Sequence, residues 1–342
     1  MPILYRIPSA ALIVLGVCVV LSPGDAHATN SAAELQSVLA DLKAWWPGEY
    51  DTLPQVELER AYGAPPDGEH DRQYRVFARV DVPHIGKDVI YGEVRTGGRD
   101  GPLIKGQQVL YILTIDEAHQ VVNVSGRRIK DGDQYERAYL HPEKLKTIAL
   151  DPAYGGNCDF RFQRYGIQLR GWLANRDAPA DSRTCTMTSK TSGQTMTWDA
   201  DWAIAPEEIW VFDNGYMKDP AEPDKLGRLF AGREDRTYER LYKARNFLCR
   251  TASNGEGRGA GVTVHDRGGE LPLPPNATGA LKARLLRMPQ AVGAPAVLED
   301  TLTLATFSAA ESKPVAEVRA PVSAETISLK YSGGRIDCRV SR

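Results

Sequence analysis

"QYRVFARVDVPHIGKDVIYGEVRT", residues 73–96, holds two stretches in which apolar and polar residues alternate, separated by a turn containing a proline and a glycine. Alternation with a period of two marks strands with unlike faces. The signal recurs at once in "QQVLYILTID" (107–116) and "QVVNVSGRRI" (120–129). Four strands in a row without an intervening helix predict an antiparallel meander. It continues through "CDFRFQRYGIQLRGWL" (158–173), the stretch 183–216 and "REDRTYERLYKARNFLCRT" (233–251), with turn signals at Tyr165-Gly166, Ser192-Gly193 and Asn214-Gly215. About eight to ten strands fit between residues 72 and 251, and so many consecutive strands manage their edges best by closing into a barrel. A short helical turn with Pro142 at an early position is expected at "HPEKLKTI" (141–148).

Ahead of the meander, "SAAELQSVLADLKAWWPG" (31–48) carries apolar residues at helical spacing. Ser31 stands as N-cap with Glu34 three residues on, and Pro47-Gly48 ends the run. Trp45 and Trp46 are about 100° apart on such a helix, so one is expected against the barrel and the other at its side. After the meander, "TASNGEGRGAG" (251–261) has linker composition, and "VTVHDRGGELPL", "GALKARLLRMP", "DTLTLATFSA", "PVAEVRAPV" and "TISLKYSGGRIDCRV" read as further strands. The expected organisation is a barrel domain over 29–253, a linker over 254–261, and over 262–342 a small β-rich domain or a set of docked strands.

The 342 residues exceed one average domain, and 42 basic against 44 acidic residues leave no footprint of a nucleic-acid binder. Residues 1–28 read as a secretory signal peptide, with Arg6, an apolar run from Ala10 to Leu21, and Ala26-His27-Ala28 as the cleavage signal. That run is short of the roughly twenty residues a spanning helix needs. Val17 before Cys18 argues against a lipoprotein site. The mature chain is therefore expected to be periplasmic or secreted and not membrane-spanning. Export leaves Cys158, Cys185, Cys249 and Cys338, an even set in an oxidising setting, and their scatter argues against a metal site. Four cysteines allow three pairings, among which sequence does not choose; the pairing favoured is Cys158 with Cys185 and Cys249 with Cys338.

The usual catalytic signatures are missing: no G-x-S-x-G, H-E-x-x-H, P-loop or strand-linked G-x-G-x-x-G occurs. His70, His84, His119, His141 and His265 are each isolated. What stands out is a set of aromatic residues and arginines along the strands: Tyr74, Arg75, Tyr91, Tyr111, Arg161, Arg164, Arg170, Trp172, Trp198, Trp202 and Trp210. Inside a barrel they would supply flat walls and a few cations for an elongated organic ligand. On the outer face they would be ordinary packing.

Taken in order, several stretches between about residues 34 and 250 resemble the CpcT/CpeT family of chromophore lyases. "WWPGEYDTLPQV" resembles that family's opening, and "VIYGEV" its Tyr-x-Glu-Gln strand, with Tyr91 and Glu93 matched and Val94 in place of Gln. "KGQQVLYIL" is similar to its Tyr-Arg-Gln-Arg-Val-Tyr strand. "GGNCDFRFQRYGIQLRGWL" with "TCTMTSK" resembles its two-cysteine arrangement, with Cys158 and Cys185 at the matched positions. "EEIWVFDNGY" resembles its closing strand, with Asn214 where Arg is usual. The resemblance implies a calycin-like antiparallel β-barrel. It implies a linear tetrapyrrole (bilin) as ligand, a cysteine-bearing acceptor protein as partner, thioether formation as the reaction, and no further cofactor. Glu93 and Asp213 are then the candidate acids, and Tyr91, Gln107, Gln108, Tyr111, Arg161, Trp172 and Trp210 the candidate ligand contacts. Gln107 and Gln108 stand near positions where the family has arginine, and an amide does not reproduce a guanidinium's bidentate grip on carboxylate. The alternatives are a non-catalytic exported binding protein for a tetrapyrrole or other apolar ligand, and a structural envelope protein.

Overall fold

The computed structural model describes residues 31–152, 156–188, 193–222, 225–253, 259–273, 280–292, 297–308 and 313–341. The expected signal peptide, residues 254–258 of the expected linker and Ser192 of one turn signal lie outside them.

The first helix, α1 (Ala32–Trp45), begins where Ser31 accepts a hydrogen bond from the Glu34 amide at 3.2 Å. It buries Leu35, Val38 and Leu42. Pro47 ends it, and its last carbonyls are satisfied from outside: Tyr50 Oη donates to Trp45 O and Trp46 O at 3.1 and 2.9 Å, and Lys243 Nζ to Trp45 O at 2.6 Å. β1 (Gly48–Asp51) and a second helix, α2 (Leu53–Ala61), follow.

Next come β2 (Gln73–Val80), β3 (Val89–Thr96), β4 (Val109–Asp116), β5 (Val121–Arg128), β6 (Cys158–Tyr165) and β7 (Gln168–Asn175), each paired antiparallel to the one before. β8 (Cys185–Thr188), β9 (Thr195–Ile204), β10 (Glu208–Met217), β11 (Arg228–Ala231) and β12 (Glu239–Lys243) complete the sheet. Because β9 pairs with both β7 and β10, and β12 with both β10 and β1, ten strands form a closed ring: β1 to β7, then β9, β10 and β12. β8 and β11 are appended to it. Asn214-Gly215, expected as a turn, lies inside β10, at a register shift against β11. There Gly215 leaves room for the Phe230 and Trp198 rings.

Inward residues of the ring, among them Tyr50, Phe77, Ile90, Leu113, Val122, Phe160, Phe162, Trp202 and Val211, form one core with Val38, Leu42 and Trp46 of the helix. Trp46 is fully buried, with its ring centroid 4.9 to 6.0 Å from those of Tyr111, Phe77, Trp202 and Phe162. Trp45 packs at the edge, beneath the Arg164 guanidinium. α1 thus stoppers one end of the barrel. The segment between β5 and β6, with two 3-10 turns (Gly132–Tyr135, Ala138–Leu140) and the short α3 (Pro142–Leu145), covers part of the outer face. Tyr91, Leu110 and Ile129 join Leu145 and Ile148 in a second core there.

Beyond the ring lie β13 (Asn246–Ser253), β14 (Val262–His265), β15 (Arg267–Pro272), β16 (Ala280–Val292), β17 (Val297–Ser308), β18 (Ala316–Pro321), β19 (Thr326–Tyr331) and β20 (Gly334–Val340). They make two four-stranded sheets, β14-β13-β20-β19 and β15-β16-β17-β18, around a core of their own. β13, expected as the barrel's last strand, belongs to this sandwich: it pairs with β14 and β20, and Cys249 stands directly opposite Cys338. Alternation identifies a strand but not the sheet it joins. Both favoured disulfides are present, Cys158–Cys185 and Cys249–Cys338. Among the described residues no helix is long and apolar enough to cross a membrane.

α2 and β1 sit at the seam between the two units. Arg72 donates to both Asp51 carboxylate oxygens at 3.0 and 2.8 Å and to Gly268 O at 2.9 Å, so one guanidinium ties the barrel to the sandwich. Gly268 has φ +106°, and a Cβ there would come within 2.3 Å of Leu53. Only glycine fits that crossing.

Candidate functional site

Strand parity decides what the lumen can hold. On β2 the inward side reads Gln73, Arg75, Phe77; on β10 it reads Ile209, Val211, Asp213, Gly215; on β12 it is Glu239 and Leu241. The register places these in facing rows (Tyr50 opposite Arg75, Phe77 opposite Gly92, Val211 opposite Trp202 and Glu239). In each strand the apolar member lies toward the α1 end and the polar member toward the other. The result is a barrel packed solid over its α1 half and open as a cup at the opposite end.

The cup has a volume of about 420 Å³. Its floor is aromatic, made by Phe77, Tyr111, Trp198 and Trp202, and its polar groups include Gln73, Arg75, Asp213 and Glu239, with Gln107 and His70 toward the rim. Arg75 is held by its neighbours: Nη2 donates to Gln73 Oε1 at 2.9 Å and to the Glu239 carboxylate. Asn214, on the outer side of β10, latches the rim loop: its amide accepts from Arg233 N at 3.0 Å and donates to Arg233 O at 2.9 Å. Arg233 in turn donates to Gly68 O and Glu69 O. The cup's cations are therefore internally satisfied, while Glu69, Asp71, Asp213 and Glu239 make the lining acidic on balance.

Asp213 is surrounded by barrel wall, yet its side chain stays open to the cup. Burial among the wall atoms pushes its carboxyl up to about 6, helped by the nearby Glu239 and Asp199 carboxylates and opposed by Arg75. Tyr111 is pushed up to about 12, first by burial. At neutral pH Asp213 is mostly ionised with a protonated fraction of roughly a tenth, and Tyr111 is a neutral phenol.

No protein-family model matches the chain, and no curated protein matches it. Solved structures similar to the chain include the following two. The selenomethionine-substituted CRL protein of Arabidopsis is 14% identical, with a TM-score of 0.41 over 62% of this chain and 99% of that one. The T-type phycobiliprotein lyase CpeT from Prochlorococcus phage P-HM1 is 13% identical, with a TM-score of 0.34 over 60% of this chain and 98% of that one.

Of the residues expected at a site, the cup gathers Asp213, Tyr111 and Gln107, together with Arg75, Trp198 and Trp202 of the wider aromatic and arginine set, and Glu93 borders it with its side chain turned away. The others stand elsewhere. Glu93 and Tyr91 project from the outer face of β3, under the segment that follows β5. There Glu93 accepts from Tyr91 Oη and the Arg137 amide at 2.8 and 2.7 Å and pairs with Arg95 at 2.8 Å. Gln108 is buried beside Tyr91 on that face. Arg161 points outward too, fully buried, and donates to the carbonyls of Asn175, Arg176, Ala178 and Pro179, so it clamps a loop. Trp172 lies outside with the Arg183 guanidinium 3.6 Å from its ring centroid, and Trp210 outside beneath Arg240 at 4.7 Å. Arg164 meets Asp41 of α1 and Arg170 pairs with Asp201, so neither of these cations reaches the cup.

Gln73, Glu239 and His70 of the cup belong to no motif in the sequence, and Arg75 stands there with no sign of its partner Glu239, 164 residues away. For β2 the signal was available: Gln73, Arg75 and Phe77 share a face, and two polar residues on the side that carries Phe77 mark where a lumen stops being packed and starts being open.

Proposed function

We propose that the chain is an exported ligand-binding barrel whose cup takes a flat, conjugated organic molecule of the linear-tetrapyrrole class. The observation that carries this reading is the half-open lumen: an aromatic floor beneath an acidic rim, in a cavity of the size used for small ligands. A conjugated ring system stacks on Trp198, Trp202 and Tyr111, while pyrrole N–H groups donate to Asp213 and Gln107. Propionate arms point away from the acidic lining into solvent, since Arg75 is already committed to Glu239. Two disulfides joining all four described cysteines support export to an oxidising compartment.

Titration of the mature protein with phycocyanobilin, followed by the shift of the visible absorbance, tests this. Saturable binding that Trp198→Ala weakens about tenfold is the expected outcome. No spectral change with bilin or with haem would end the proposal in favour of a structural envelope protein.

A second reading, assistance in joining the ligand to a protein cysteine, is favoured by Asp213, which keeps a usable protonated fraction near neutrality where an ordinary carboxyl has almost none. It predicts acid-stable attachment to a cysteine-bearing acceptor, lost in Asp213→Asn. Binding without transfer would leave the non-catalytic reading alone.

A further inference from the structure

At the rim of the cup stands a second arrangement, assembled from three distant parts of the chain. Glu59, near the end of α2, receives two hydrogen bonds from His70: the backbone amide donates to Oε2 at 2.8 Å, and ring Nδ1 lies 2.6 Å from Oε1. Gln55, one turn earlier on α2, braces the carboxylate by donating from Nε2 to Glu59 Oε1 at 2.9 Å and to Tyr238 O at 3.1 Å. On the other side of the ring, His70 Nε2 lies 3.3 Å from Thr237 Oγ1. His70 lines the cup together with Asp213.

These distances fix the tautomer. Gln55 Nε2 also lies 3.1 Å from His70 Nδ1, but its two hydrogens are directed to Glu59 Oε1 and Tyr238 O, which leaves the hydrogen of the Glu59 contact to Nδ1. An ionised carboxylate only accepts, so the 2.6 Å contact puts a hydrogen on Nδ1 and leaves Nε2 of the neutral ring with a lone pair. Thr237 has one hydroxyl hydrogen, and Asp235 Oδ1 at 2.8 Å is the nearer and charged acceptor for it. Nε2 of the neutral ring thus faces an oxygen whose hydrogen is directed elsewhere. Once a proton arrives at Nε2, that same oxygen becomes its acceptor, and Glu59 faces an imidazolium. Both states of the ring have partners, and the step between them is uptake of one proton from the cup. A carboxylate that orients a histidine and stabilises its cation is the physical basis of an efficient general base.

We infer that His70, positioned by Glu59, is the proton-accepting residue of the cup and forms an acid–base pair with Asp213. The inference rests on the second reading above and gives it a complete proton path. A thiol entering the cup loses its proton to His70 Nε2 as sulfur forms a bond to one carbon of a conjugated double bond in the ligand. The displaced π pair takes a proton from the Asp213 carboxyl at the neighbouring carbon. The net change is addition of S–H across C=C, with no oxidant or reductant, and the imidazolium proton returns to Asp213 through solvent. Glu59 is a positioning residue. The charged groups that face the ring are Glu59 from α2, Glu69 and Asp71 on its own segment, and Arg233 and Asp235 from the loop before β12.

The test uses the mature chain at saturating phycocyanobilin with 2-mercaptoethanol as nucleophile, so that a change in ligand uptake does not enter the rate. Adduct formation is followed by absorbance and mass. His70→Gln, which keeps an amide hydrogen for Glu59, is expected to lower the rate about a hundredfold. A His70→Gln rate equal to wild type overturns the inference. If the wild-type protein takes up no bilin, the proposed function itself fails. The ring nitrogens of ¹⁵N-labelled protein then decide about His70: a neutral ring protonated at Nδ1 supports the assignment, and one protonated at Nε2 sinks it in either case.

Discussion

Removing the Trp46 indole would empty the middle of the barrel. Its ring touches four other aromatic rings and is fully buried, so Trp46→Ala is expected to cost about 3–5 kcal/mol by urea unfolding, since a closed ring of strands cannot collapse into the void. Asp213 acts in the opposite sense. Its carboxyl is raised to about 6 in the folded chain against about 4 unfolded, so the folded state keeps a proton that the unfolded chain has lost. Stability should therefore fall as pH rises between those values and stay lowered above them. Asp213→Asn should stabilise the protein above pH ~6 and leave it unchanged below pH ~4, which thermal melts across that range would reveal. Water in the cup screens the group, so the gain is on the order of 1 kcal/mol. Which of these residues could be recognised beforehand follows from what parity can say. It tells that Tyr91 and Glu93 share a face but not which face is the lumen, and β3 is buried on both sides because the segment after β5 covers its exterior. His70 was illegible for another reason: its partners lie 11 and 167 residues away.

Among the elements, α1 was legible to its cap, because a capping box, a helical stripe and a proline all agree. Ser31→Ala should cost about 1 kcal/mol in thermal or chemical unfolding, the usual worth of an N-cap side chain. A change of a few tenths or less would mean that the stopper is held by packing alone. α2 was not anticipated. Its buried residues Leu53, Pro54, Gln55 and Val56 are consecutive, a pattern without helical spacing, and Thr52 makes no side-chain cap bond. They are buried together because the helix begins wedged between barrel and sandwich, where every side meets protein. The strands of the meander were readable because each needs only its own alternation and a turn. Assigning β13 to one sheet or the other required knowing what lay beside it.

For the whole molecule, the two disulfides make different demands. Cys158–Cys185 closes a loop of 27 residues and Cys249–Cys338 one of 89, so chain entropy alone assigns them about 3.6 and 4.6 kcal/mol. The double variant Cys249→Ser/Cys338→Ser should loosen the sandwich by an amount toward the upper end of 2–5 kcal/mol. Hydrogen exchange should then report opening of β13 and β20 before that of the barrel strands; simultaneous opening would show that the Arg72 tie makes one cooperative unit of the two. The ring itself is shut by a pairing between its first strand and its last, Tyr50 against Lys243. On a lengthening chain β1 must wait for nearly the entire barrel sequence before it meets β12. Until then two strand edges stand open, and Trp46 has no complete cylinder to enter. Such long-range closure belongs to the slow end of folding, on the order of milliseconds to seconds. The open-edged intermediate it leaves is the species that a holdase would have to shelter.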